Sequence, residues 1–128
     1  MVAWADYRAE AKSRGALALE LYVAVSTPAK APEDVKAALG AHLAYQAQLE
    51  RDGALAFAGP MSDETGEQMQ GMGLIIYRAD SLEAARALAE ADPMHASGAR
   101  SFTLRRWMIN EGSLTLSVGL STNAISLS

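Results

Sequence analysis

The stretch LALELYVAV, Leu17 to Val25, alternates leucine and valine with Ala18, Glu20, Tyr22 and Ala24. A two-residue period sends successive side chains to opposite faces, so this segment predicts a β-strand with one strongly apolar face. Pro28 and Pro32 break the chain after it. Glu33 and Asp34 then open a helix, because unpaired backbone N–H groups at a helix start favour negative charge. The helix is expected from about Pro32 to Asp52, with Gly53 as its stop.

Outward from this pair, Ala54 to Gly59 reads as a second strand, with Leu55 and Phe57 on one face and Pro60 ending it. Ser62 to Gly71 is a polar connection, and Met72 to Arg78 is a third strand, so the two form a hairpin with a long loop. Asp80-Ser-Leu-Glu83 has the form of a capping box with Asp80 as the cap, and a helix over Ser81 to Ala91 follows. Asp92-Pro93 stops it, since the residue before proline is disfavoured in the α region. Phe102 to Ile109 is a fourth strand. The order β-α-β-β-α-β is that of a ferredoxin-like α+β domain.

The expected organisation is a single domain with its core at about 17–110. A mixed-charge helical extension covers 1–16 and a strand tail covers 112–128. In the tail Leu114, Leu116, Val118 and Leu120 alternate with Thr115, Ser117, Gly119 and Ser121. That is a half-buried fifth strand, which pairs between subunits or is added at an edge of its own subunit. A sheet covered by helices on one face leaves its other apolar face to be buried, so a homodimer is expected.

Composition narrows the function. The chain has 128 residues, 50% hydrophobic and 20% charged, a size and make-up suited to one folded core. Eleven basic against 15 acidic residues give a net charge of -4, which argues against a nucleic-acid partner. There is no cysteine, which excludes disulfides and thiolate metal sites, and two histidines exclude a three-histidine metal site. No metal is expected. No apolar run approaches the ~20 residues that span a bilayer, so no membrane partner is expected. Gly15 to Val25 follows Lys12 and Arg14 as an export signal would, but Glu20 interrupts it, and a cytoplasmic location is expected. Glycine-rich phosphate loops, the Gly-x-Ser-x-Gly elbow and the calcium-loop spacing are missing, so no cofactor is expected.

His42 is the leading chemical candidate. At ~100° per residue it falls with Val35, Leu39, Gln46 and Leu49 in a roughly 80° sector of the helix. Two polar side chains within an apolar stripe point to a pocket beneath, where a histidine can act as general acid or base near neutral pH. The alternative is a neutral, hydrogen-bonded structural histidine. Asp92 stands at a helix end where the macrodipole disfavours a carboxylate, a cost that a donor partner offsets. With both helices on one sheet face, its approach to His42 is geometrically reasonable; a solvated Asp-Pro turn is the alternative. Gln46, Ser62 and His95 are candidate substrate-binding groups. Arg100, Arg105 and Arg106 are candidates for an anionic substrate. Adjacent strand residues face opposite ways, so at most one of Arg105 and Arg106 enters a pocket.

Together these motifs resemble a known family. Ala41-His42-Leu43, Leu49, Asp52-Gly53, Gly59-Pro60-Met61, Ser81 to Ala85, Ala91-Asp92-Pro93 and Gly98 are similar in order and spacing to the YCII-related domain family, over Leu17 to Trp107. The resemblance implies a ferredoxin-like subunit paired into a dimeric α/β barrel, related to muconolactone isomerases and cofactor-free monooxygenases. It also implies a His–Asp active-site pair, carried here by His42 and Asp92. One such family member is a dehydrochlorinase acting on a chlorinated hydroxyhydroquinone. Arg106 stands before Trp107 where the family commonly has proline, which adds a charge beside the expected pocket and puts the substrate in doubt; Arg106 joins Gln46, Ser62 and His95 as a substrate-binding candidate. The expected function is a cofactor-independent lyase or isomerase acting on a small hydroxylated or aromatic molecule. The alternative is a non-catalytic ligand-binding or regulatory module.

Overall fold

The computed structural model describes residues Met1–Ser128. In chain order the elements are α1 (Trp4–Ser13), β1 (Leu19–Pro28), α2 (Pro32–Arg51), β2 (Leu55–Ser62), β3 (Met69–Tyr77), α3 (Leu82–Ala91), α4 (Pro93–Ala96), β4 (Arg100–Ile109), β5 (Leu116–Val118) and β6 (Ile125–Leu127). They fall into two compact units, Glu20–Trp107 and Met1–Leu19 with Met108–Ser128.

In the first of these the sheet order is β2-β3-β1-β4, the ferredoxin-like arrangement read from the sequence. β3 pairs antiparallel with β1 through Tyr22↔Tyr77, Ala24↔Ile75 and Ser26↔Gly73. β4 runs antiparallel along the other side of β1. Ala29 N–H donates to the Ala99 carbonyl at one end (2.9 Å), and Arg106 meets Glu20 at the other (3.0 Å).

The face of β1 that meets the helices is not its leucine–valine face. Tyr22 and Ala24 pack with Ile75, Tyr77, Leu49 of α2, and Ala85 and Ala89 of α3. Ser26 follows on that face and is also buried. Leu21, Val23 and Val25 point the other way. β1 lies inside the sheet and is apolar on both sides, so its alternation does not tell which side takes the helices. Small residues decide it: Ala24, Ala85 and Ala89 let α3 approach closely, and two tyrosines fill the remaining space. The strand also starts two residues later than the alternation suggests, because Ala18 has φ +51°.

α2 has Pro32 at its start, acids in its first turn and Asp52 as its C-cap. Gly53 follows at φ +77°, its N–H donating to Glu50 (3.1 Å) while Ala54 N–H donates to Leu49 (2.8 Å). These two bonds close the helix in a Schellman motif, which a left-handed glycine makes possible. The cap of α3 is Ser81, not Asp80: the Ser81 hydroxyl accepts from Ala84 N–H at 3.0 Å. Either side chain can cap, and the fold places the first helical turn one residue later.

Pro60 does not end β2. It pairs with Gly73, and the strand continues to Ser62. β2 is an edge strand, where the missing proline N–H forfeits no ladder bond. A bulge between Leu55 and Phe57 sends them to different faces, contrary to the reading of one shared face: Leu55 packs on the core and Phe57 is exposed. β3 begins at Met69, three residues before its expected start, so the hairpin loop shortens. Asp63 N–H closes it on the Gln68 carbonyl at 2.7 Å.

In the other unit α1 forms as expected. The tail is a hairpin, not one long strand: β5 pairs with β6 through Leu116↔Leu127 and Val118↔Ile125. Its turn uses Asn123 at φ +59°, a conformation asparagine tolerates. No helix is long and apolar enough to cross a membrane.

Candidate active site

The two polar residues in the stripe of α2 have a structural reason. Tyr45 and Leu49, towards the end of the helix, pack on the core. Val35, Leu39, His42, Leu43 and Gln46, along its first four turns, form one wall of an open cavity of about 380 Å³. Gly59, Pro60, the β3 segment Gly71–Ile75, Ser26, Met94 and Arg100 also line it. The stripe is continuous in the sequence, but only its later part is core.

His42 and Asp92 come together. Asp92 stands between α3 and α4 with φ -61° and ψ 125°, an extended residue held by the proline that follows. Its side chain caps α4, Oδ1 accepting from Met94 N–H at 2.9 Å. Both carboxylate oxygens lie 2.8 Å from His42 Nδ1. The Asp92 side chain is 1% exposed and that of His42 13%. A carboxylate only accepts, so Nδ1 carries the hydrogen and donates. In the neutral ring Nε2 is then the acceptor, and the Gln46 side-chain amide donates to it. An imidazole at a cavity wall, with a buried carboxylate on one nitrogen and an acceptor nitrogen bonded only to the Gln46 amide, has the arrangement that general acid–base chemistry uses.

Two phenols complete the surroundings of Asp92. The Tyr45 hydroxyl donates to the Leu88 carbonyl at 2.7 Å. Burial, and then the Asp92 charge, push its phenol above the usual range. The Tyr77 phenol is pushed further up by burial, with Asp92 and Tyr45 adding to the effect, and its buried hydroxyl has no hydrogen-bond partner in the chain. Both phenols therefore stay protonated near neutral pH.

The second histidine has a different setting. His95 Nδ1 donates to the Ala89 carbonyl at 2.8 Å, and its Nε2 accepts from the Ser26 hydroxyl at 2.9 Å. Its ring contacts Phe102 with centroids 4.6 Å apart. Burial holds its pKa below the ordinary histidine value, offset in part by the Ala89 bond. Ser26 Oγ in turn accepts from Arg100 Nε at 2.8 Å.

The other candidates separate. Gln46 lines the cavity beside His42. His95 reaches the cavity wall only through Ser26. Ser62 donates to the Asp63 carbonyl at 2.9 Å in the exposed hairpin and does not line the cavity. Arg106 does not line it either. It pairs with Glu20, at the end of β4 away from Arg100. The arginine at the cavity is Arg100, one of three that the sequence offered without a register to choose among them. Ser26 gave no signal as a lone hydroxyl; its trace was a polar residue in phase with Tyr22 and Ala24. No group of three or more His, Asp or Glu side chains comes together as a metal site.

A family model for the YCII-related domain matches residues 20–108. The chain belongs to the YCII-related domain family. The uncharacterised protein YjpA of Bacillus subtilis (strain 168) is 34% identical to this YCII-related domain protein over 70 residues, covering 55% of this chain and 75% of YjpA. Among solved structures it is similar to the 5-chloro-2-hydroxyhydroquinone dehydrochlorinase (TftG) of Burkholderia phenoliruptrix AC1100 in complex with 2,5-dihydroxybenzoquinone. That match has 20% identity and a TM-score of 0.49, covering 68% of this chain and 92% of the other.

Proposed function

We propose that this YCII-related domain protein is a small-molecule enzyme that works without a cofactor, with His42 as general base and Asp92 as the group that orients it. The observation supporting this is the buried Asp92 carboxylate 2.8 Å from His42 Nδ1, which leaves Nε2 as acceptor at a cavity wall. Nε2 takes a proton from the substrate, and the electron pair left behind forms a new double bond. In an elimination a leaving group departs with its bonding pair. In an isomerisation the imidazolium returns the proton at another carbon. Asp92 stabilises the imidazolium in either case. The apolar wall and the single-ring volume suit a hydroxylated or aromatic substrate.

A non-catalytic ligand-binding role is favoured by one feature: the Gln46 amide already occupies Nε2. A panel of hydroxyaromatics and lactones assayed with the native protein and His42→Ala decides between the two. Turnover that disappears in His42→Ala supports the enzyme. Ligands that bind both proteins equally, with no compound converted, leave only the binding module. We also propose a homodimer built on the sheet face away from the helices, where Phe57 is 54% and Trp107 44% exposed. A monomeric sedimentation coefficient at micromolar concentration contradicts it.

A further inference from the structure

We propose that Arg100 holds an anionic oxygen of the bound molecule, so that this site acts on small anions: carboxylates or ionised phenols and enols. This rests on the reading of the cavity as the site where His42 works. Arg100 is half-buried at the cavity wall. Its guanidinium has five N–H donors. Nε donates to Ser26 Oγ at 2.8 Å, and Nη2 to the Ser26 carbonyl at 2.8 Å and to the Gly71 carbonyl. Three donors are thus fixed, and the two on Nη1 have no partner in the chain.

All three acceptors are neutral. Arg106, by contrast, has Glu20 against it. The carboxylate that most affects Arg100 is Asp92, whose oxygens are committed to His42 and to Met94 N–H. A cation drawn partly out of water with no acid beside it is costly to keep unless an anion arrives.

The mounting of this cation is rigid. The Ser26 hydroxyl gives its hydrogen to His95 Nε2, which frees its oxygen to accept from Arg100, and His95 is locked in turn by Ala89. Gly71 supplies its carbonyl from a left-handed position, φ +92°, where a Cβ would meet the Pro28 ring at 2.8 Å. A guanidinium held along one edge presents Nη1 alone, which suits recognition of one charged oxygen.

The test is isothermal titration at low chloride with two matched pairs of probes: benzoate against benzamide, and 4-nitrophenolate against nitrobenzene. The expected result is that at least one anion binds about ten- to hundred-fold more tightly than its neutral partner, the worth of one charge-assisted hydrogen bond. The pair that shows the preference tells carboxylate from phenolate. Arg100→Gln removes the preference and Arg106→Gln keeps it. The proposal is overturned if neither anion is preferred, or if the preference survives Arg100→Gln. Should Arg100→Gln fail to fold, the Arg100 Nε–H resonance of the native protein, assigned with Arg100→Lys, serves instead. It moves with at least one of the two anions and not with that anion's neutral partner, and a resonance that ignores both anions overturns the proposal. Binding needs no turnover, so His42→Ala keeps the anion preference. Failure of the base reading is seen in turnover alone.

Discussion

Replacing Asp92 by asparagine tests the site with the least disturbance of shape. In the native protein Asp92 Oδ1 accepts from Met94 N–H at 2.9 Å, and both oxygens lie 2.8 Å from His42 Nδ1. An asparagine keeps one oxygen for the Met94 cap. Its amide nitrogen then takes the place of Oδ2, so two donors face each other at His42 Nδ1. The ring escapes the conflict by moving its hydrogen to Nε2, with Gln46 turning its amide so that the side-chain oxygen accepts there, and Nδ1 becomes the acceptor. The nitrogen at the cavity is then a donor and no longer a base. By analogy with the tautomer loss in a catalytic triad, turnover falls by about 10³- to 10⁴-fold. Stability falls less, by about 1–2 kcal/mol, because a charge-assisted hydrogen bond becomes a neutral one while the cap survives. The assay is nitrogen-15 NMR of the imidazole, which distinguishes the tautomers without any substrate. Native protein with the hydrogen on Nε2, or an asparagine variant whose tautomer is unchanged, refutes the reasoning.

Tyr77→Phe removes a buried hydroxyl that has no partner. It is expected to leave stability unchanged or raise it by about 1 kcal/mol in urea denaturation; a loss of that size would show a hydrogen bond at this hydroxyl. His95 has its folded pKa held below 6.5, chiefly by burial, with His42 and Arg100 lowering it further and Ala89 and Asp92 opposing. The unfolded chain therefore binds more protons, and stability is lost as pH falls from neutrality through 6.5 toward the depressed value. His95→Gln flattens that part of the urea-midpoint profile, and an unchanged slope contradicts the assignment. Arg106→Ala breaks an ion pair in which Arg106 is 44% exposed, so about 0–1 kcal/mol is lost on thermal melting and turnover is unaffected. A large loss of turnover would place Arg106 in the site after all.

The sequence carried the topology because each element announces itself locally: alternation in β1, a proline start and glycine stop for α2, Asp-Pro after α3. It also carried the His42–Asp92 contact, since a histidine in an apolar stripe and a carboxylate at the end of the neighbouring helix share one side of the sheet. What it did not carry depends on position in three dimensions. Pro60 is harmless only because β2 is an edge, and nothing within residues 54–62 states that. Arg100 and Arg106 look alike until the register of β4 against β1 puts one beside Ser26 and the other beside Glu20. The inward face of β1 was hidden for the same reason: Tyr22, Ala24 and Ser26 are less apolar than Leu21, Val23 and Val25, yet they lie beneath the helices and the cavity.

Asp92 shows why fold and chemistry are hard to separate at this site. It serves three roles: it ends α3 in an extended conformation, caps α4 through Met94, and accepts from His42. Asparagine satisfies the first two, since it is as good a cap as aspartate, but not the third. Glutamate brings the charge but is one methylene too long to cap in the same geometry. Alanine fails at both side-chain roles. The residue type is therefore set by the overlap of a local and a long-range demand. That overlap makes a measurable distinction: if Asp92 were only a cap, Asn and Asp would be equivalent there in stability and in the His42 spectrum. A His42 tautomer that differs between them, in proteins with the same α4, isolates the part of Asp92 that the fold alone does not require.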